Sequence, residues 1–327
     1  MATIGTLINL ADRLRETDCN NVTARIIEML AKKNEILDDL IYVECNETTS
    51  HKANIRTGLP TSIWRAFNQG VPTSKSSKAV VTFTCGELAA RSECDKKLAD
   101  LGGNPQDFRL SEASSHIEGM SQNMASTLFY GNEALDPNQF TGLSRYYSSL
   151  SGAASSDNVL SHGGSGNDNT SVWLVGWGED SIHGIVPKGD TAGLTRTDKG
   201  VVELLDASGN KYDGYAETFD WTNGLAVKDW RYAARLANID ISDIKNASDL
   251  TTLKALIRNM TILAERVEGD GNWYMNRTIR TALRLAIVEK VSNQLTWETV
   301  NGKRVMVFDE KPIRRCDSLV NAESLVS

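Results

Sequence analysis

From Thr48 to Gly86 the chain carries no aspartate or glutamate, although these two residues number 42 among its 327. Lys52, Arg56, Arg65, Lys75 and Lys78 make this stretch cationic, so with a net charge of -7 the remainder must carry -12. Pro60, Pro72, Gly58, Gly70 and the run Thr73–Ser77 (TSKSS) break regular structure and mark an extended excursion with turns. A fold containing such a segment must carry it at its periphery. Two readings follow: a solvated basic loop, or an arm lying on an acidic surface of a neighbouring copy, anchored by Trp64 and Phe67 as aromatic residues anchor interfaces.

Hydrophobic periodicity organises the rest. Val22, Ile26, Met29, Leu30, Leu37, Leu40 and Ile41 recur at helical spacing, so a helix is expected over residues 22–41, with a shorter one before it. AVVTFT (79–84) reads as a strand closing the basic excursion. Ala113, Ile117, Met120, Met124 and Leu128 form one narrow stripe that predicts a helix of about 30 Å over residues 111–130, lying across a sheet and stopped by Gly131 and Asn132. Residues 152–169, rich in Ser, Gly, Asn and Asp, mark a loop or boundary. Short β-prone runs follow, the clearest a hairpin GVVELL-DASGNK-YDGYAETF. After Ser248 two amphipathic helices are expected, the first through Leu253, Leu256, Ile257, Met260 and Leu263, the second through Ile279, Leu283 and Ala286, then two strands. The class expected is α+β.

Composition narrows function. A net charge of -7 is the wrong sign for a protein that grips nucleic-acid phosphates as its main task. Apolar runs fall well short of the roughly 18 residues of a membrane span, and the N-terminal stretch lacks the pattern of a secretory signal. Five cysteines, odd in number, widely spaced and without CxxC, argue against a disulfide framework or zinc site, so reduced thiols are expected. DASGNKYDGYAE from Asp206 places oxygen ligands at several calcium-loop positions, but Lys211 stands where the loop needs glycine, so a hairpin turn is the better reading. HGGSG (162–166) is like an esterase oxyanion loop, yet no G-x-S-x-G elbow accompanies it. The four histidines pair with no ligand at metal spacing, and no phosphate-binding loop occurs. No catalytic, metal or cofactor site is legible.

Seven strings carry a specific resemblance: RIIEMLAKKNEILDD (25–39), RTGLPTSIWRAFNQGV (56–71), FRLSEASSHIEGM (108–120), TLFYGNEALDPNQFTGL (127–143), VWLVGWGEDSIHGIVPKG (172–189), GLAVKDWRYAARLANID (224–240) and YMNRTIRTAL (274–283). In that order they resemble major capsid proteins of tailed bacteriophages, of the podophage type, with the Hong Kong 97-like fold. The resemblance implies an N-terminal arm over 1–46 packed through Ile26, Leu30, Leu37 and Leu40, and an E-loop over 47–86 contacting other subunits through Lys52, Arg56, Trp64, Arg65, Phe67, Lys75 and Lys78. It implies a P domain with a spine helix carrying Ile117, Met120, Met124 and Leu128 over 87–150, a β-rich P-domain segment over 151–247, and an A domain over 248–327. One departure is that the sheet-forming run stands between the spine helix and the A-domain helices, which implies a rearranged element order.

The implied function is a structural one: hexamers and pentamers closing an icosahedral virion shell around double-stranded DNA, assembled in the bacterial cytoplasm with no cofactor and no membrane. A separate scaffolding protein, a portal, a decoration or cement protein and weak nonspecific contact with the packaged DNA are the expected partners. The alternatives are an oligomeric enzyme with an intersubunit site and another phage structural protein of tail or decoration type.

Overall fold

The computed structural model describes residues 32–101, 104–206, 208–245, 250–289, 291, 295–300 and 303–327. Two mixed sheets, each with helices against it, hold two large apolar clusters. The α+β class expected from the sequence is present.

The first sheet contains β1 (Tyr42–Glu44), β2 (Ser50–Gly58), β3 (Ser77–Asp95), β6 (Ile182–Val186), β7 (Thr195–Leu205) and β8 (Lys211–Val227). Its order is β1-β6-β8-β3-β2, with β7 also paired to β8. β3 is its backbone. Through Thr84 it pairs with β2, and from Cys85 onward it pairs with β8, so one continuous 19-residue strand joins the basic excursion to the body. The expected hairpin is formed by β7 and β8, and Asp206 closes its turn by accepting from the backbone N–H of Ser208 and of Asn210, both at 2.8 Å.

A 26-residue helix, Pro105–Tyr130, lies against β3 and β8. It starts six residues before the apolar stripe suggests. Proline at the first helical position lacks only an N–H that would be unpaired there anyway, so Pro105 begins the helix rather than breaking it. Asp107 in the first turn suits the positive end of the helix dipole. Phe108, Met120, Met124, Leu128 and Phe129 are buried, whereas Ile117, placed by periodicity on the same stripe, stays 37% exposed.

The second sheet has the order β11-β12-β13-β10-β5-β9-β4, built from β4 (Val159–Ser161), β5 (Asn169–Val175), β9 (Ala233–Asp240), β10 (Asn272–Met275), β11 (Leu295–Val300), β12 (Lys303–Phe308) and β13 (Lys311–Arg315). The helices Leu250–Arg266 and Arg277–Val288 fill its apolar side with Leu256, Met260, Leu263, Ile279 and Leu283. Asn276 caps the second helix by accepting from Ile279 N–H at 3.0 Å. The span 151–247, expected as one β-rich segment, is divided: β6, β7 and β8 join the first sheet, and β4, β5 and β9 join the second.

The expected helix over 22–41 is corrected where it is described. Only Ile36–Asp39 is helical. Asn34 bridges Cys316 and Glu35 N–H donates to Arg315 O at 3.0 Å, so backbone pairing with the C-terminal segment replaces helix there. Ile26 and Leu30 lie outside the described residues; Ile36 and Leu40 are buried in the first cluster, with Leu37 partly buried against it.

Candidate assembly surface

β2 and β3 form an antiparallel ribbon that extends from the body and ends in a loop of residues 59–76. Trp64 and Phe67 are 104% and 97% exposed, and Leu59, Ile63, Val71 and Val80 are also exposed. Such a concentration of exposed large apolar side chains in one segment is unusual on the surface of a monomeric protein. Sequence reasoning singled out Trp64 and Phe67 but passed over the four aliphatic residues, although all lie in the same acid-free segment. The tip is nonetheless an ordered turn. Arg65 Nη1 donates to Gln69 O at 3.0 Å, Ser74 Oγ donates to Thr61 O at 2.9 Å, and Asn68 supplies the left-handed residue at φ 66°.

The charges of the ribbon are unbalanced in a particular way. Arg56 and Lys78 stand opposite each other across the strands, a like-charge pair that destabilises a ribbon unless a carboxylate comes between them. Among the described residues no carboxylate forms an ion pair with Arg56, Arg65, Lys75 or Lys78. Lys52 differs from the other expected contact residues: its Nζ reaches Glu47 Oε1 at 2.6 Å, so it serves the base of the ribbon locally.

Where the ribbon meets the body, a cleft of about 1050 Å³ opens between β2 and the segment around Trp230, its lining including Arg56, Lys228, Arg231, Asp180 and Asp229. Arg231 is bound to both Asp229 (2.6 Å) and Glu268 (2.9 Å). Beside the cleft, the buried rings of His51 and His183 meet edge to face with centroids 5.6 Å apart. Burial, and then the nearby Lys228, holds both imidazoles below their usual range, His183 at about 4. They are neutral packing groups at neutral pH. His162 Nδ1 lies 2.9 Å from Asn259 Nδ2, a structural contact. No group of three or more potential metal ligands occurs among the described residues, and none of their helices is long and apolar enough to cross a membrane.

Two buried charge clusters hold the body that carries the ribbon. Glu217 on β8 faces Arg109 of the long helix at 2.6 Å and Arg196 of β7 at 2.7 Å, tying the β7–β8 hairpin to that helix. In the second cluster, Arg235 donates to Glu323 at 2.8 Å, and Ser171 and Tyr130 also donate to Glu323, clamping the C-terminal segment to the second sheet and to the end of the long helix.

The family model for the major capsid protein GP7 matches residues 18–327. The chain belongs to this family of major capsid proteins. Its fold is similar to that in a cryo-EM structure of bacteriophage Epsilon15, with 34% identity, a TM-score of 0.75, and coverage of 100% of this chain and 99% of the other. More distant likenesses include a SrpI encapsulin of Synechococcus elongatus PCC 7942 (12% identity, TM-score 0.47, 72% and 96% coverage). A native GTA particle capsid is similar at 11% identity and TM-score 0.44, with 66% and 93% coverage. No curated protein sequence matches. The capsid protein is thus a structural component of the virion, with the Hong Kong 97-like fold expected from the sequence, and many copies of it build the shell.

Proposed function

We propose that the β2–β3 ribbon is the E-loop of this capsid protein and that it binds a neighbouring subunit, joining copies into the hexamers and pentamers of an icosahedral shell. The exposure of Trp64 and Phe67 on an ordered tip carries this reading: an organised turn presenting bare aromatic rings suits docking on another surface. The uncompensated Arg56–Lys78 pair supports it, since an acidic patch on the neighbour would relieve the repulsion. The same reading assigns the N-terminal arm to residues 1–46, the E-loop to 47–86 and the spine helix to Pro105–Tyr130. The A domain becomes the second sheet with its helices, including β4, β5 and β9 as well as residues 248–327.

In this role the chain acts by contact alone, as a non-enzyme. Many modest contacts per copy, together larger than a standard interface of about 1,600 Å², hold the shell by avidity while letting misplaced subunits leave. Its net charge of -7 supports only weak, nonspecific contact with packaged double-stranded DNA. Assembly in the host cytoplasm, with scaffolding, portal and decoration or cement subunits as partners, completes the proposal.

The test replaces residues 59–76 with a two-residue turn joining β2 to β3. The variant should fold, with an unfolding midpoint near that of the unassembled parent, and should form no shells by negative-stain microscopy. Normal shells from this variant would overturn the assignment.

A further inference from the structure

At the root of the ribbon two thiols meet. Cys45 follows β1, Cys85 lies on β3, and their sulfurs are 3.6 Å apart although the residues are 40 positions apart in sequence. The strands bring them together from two directions. Cys45 N–H donates to Val186 O at 2.9 Å at the end of β6. Cys85 stands opposite Gly224 of β8, and its Sγ reaches Ile185 O at 3.8 Å. Gly224 makes this approach possible: a Cβ there would stand 2.5 Å from Thr84 O and 2.8 Å from Ile185 Cγ1, forcing β3 and β6 apart. Cys45 is buried and Cys85 half-buried, so Cys85 is the more accessible residue of the pair.

We propose that Cys45 and Cys85 form a latent disulfide site, closed by thiol–disulfide exchange with a low-molecular-weight disulfide of the glutathione type. The Cys85 thiolate attacks one sulfur of the small disulfide, forming a mixed disulfide and releasing one small thiol. The Cys45 thiolate then attacks the Cys85 sulfur, forming the intramolecular bond and expelling the second small thiol. The two protein thiols give up two electrons and two protons, and the small disulfide takes them up as two thiols. The sulfurs must close by about 1.6 Å from their 3.6 Å separation to reach bonding distance. The bond would enclose the whole ribbon, tying the end of β1 to the residue at which β3 changes partner from β2 to β8.

Burial pushes both thiols up, Cys85 to about 12, so little thiolate is present and exchange is slow at neutral pH. The full chain is therefore incubated with oxidised glutathione at about pH 8.5, alkylated under denaturing conditions and digested with trypsin. Cys45 and Cys85 fall in separate single-cysteine peptides, 34–52 and 79–91. The expected product links these two peptides, disappears with dithiothreitol, and accompanies a rise in the unfolding midpoint that Cys45→Ala lacks. Cys94 and Cys316, buried elsewhere, should remain thiols. Recovery of both cysteines as alkylated thiols, a glutathione adduct that stops at Cys85, or a link between two copies through Cys85 would each overturn the proposal. All three are read on the unmutated protein, independently of whether the ribbon docks on a neighbour.

Discussion

Replacing Trp64 and Phe67 together by alanine separates folding from assembly. Both rings are almost fully exposed at 104% and 97%, so neither contributes appreciably to its own chain's stability, and the unassembled variant should unfold within about 0.5 kcal/mol of the parent. On a neighbour each ring would bury about 150–250 Å². At about 25 cal/mol per Å² that is a gross gain of roughly 4 to 6 kcal/mol per ring. Ordering the loop and desolvating its polar groups offset much of this gain, so a net loss of about 2 kcal/mol per copy is a conservative expectation for the double variant. That loss corresponds to a rise of about 30-fold in the concentration at which capsid protein begins to assemble. The assay follows light scattering against protein concentration under assembly conditions, with thermal unfolding of the unassembled protein in parallel. An assembly threshold within twofold of the parent, or a fall in stability large enough to account for lost assembly, would refute the reasoning.

Two further perturbations address the body that carries the ribbon. Glu323→Ala strands the buried Arg235 guanidinium without its carboxylate and should cost about 3 to 5 kcal/mol in denaturant unfolding, with Glu323→Gln milder; a loss below 1 kcal/mol would show the clamp to be dispensable. His183 is held at about 4 against an ordinary 6.5, and protonation would add a buried N–H at Nε2, which has no hydrogen-bond partner. With the folded pKa below the unfolded one, its contribution is fully present above pH 6.5 and is lost as pH falls toward 4. The other charges acting on it are Lys228 and His51, which lower its pKa, and Asp180, which raises it. The unassembled protein should lose about 2 to 3 kcal/mol across that window, and His183→Gln should show a flatter slope; identical slopes would assign the acid sensitivity elsewhere.

The helices Leu250–Arg266 and Arg277–Val288 were legible because their apolar residues repeat at helical spacing, and the β7–β8 hairpin because turn residues separate two β-prone runs. The basic ribbon was legible because charge and punctuation are local properties. Residues 33–35 were misleading: their helical pattern continues, but pairing with Arg315 and Cys316 overrides it, and no local signal announces a partner nearly 300 residues away. The long helix hid its start because Pro105 looks like a breaker unless its position at the first turn is known. Lys52 looked like the other ribbon cations until Glu47 was found beside it.

By itself the amino-acid order determined the two helices after residue 248, the β7–β8 hairpin and the protruding basic loop, and which family the chain resembles, since each depends on neighbours along the chain. Tertiary structure alone decided that residues 151–247 are shared between two sheets, that Arg56 stands opposite Lys78, and that Cys45 meets Cys85. Those outcomes depend on strand order and register, which follow from burying both apolar clusters at once rather than from any local pattern.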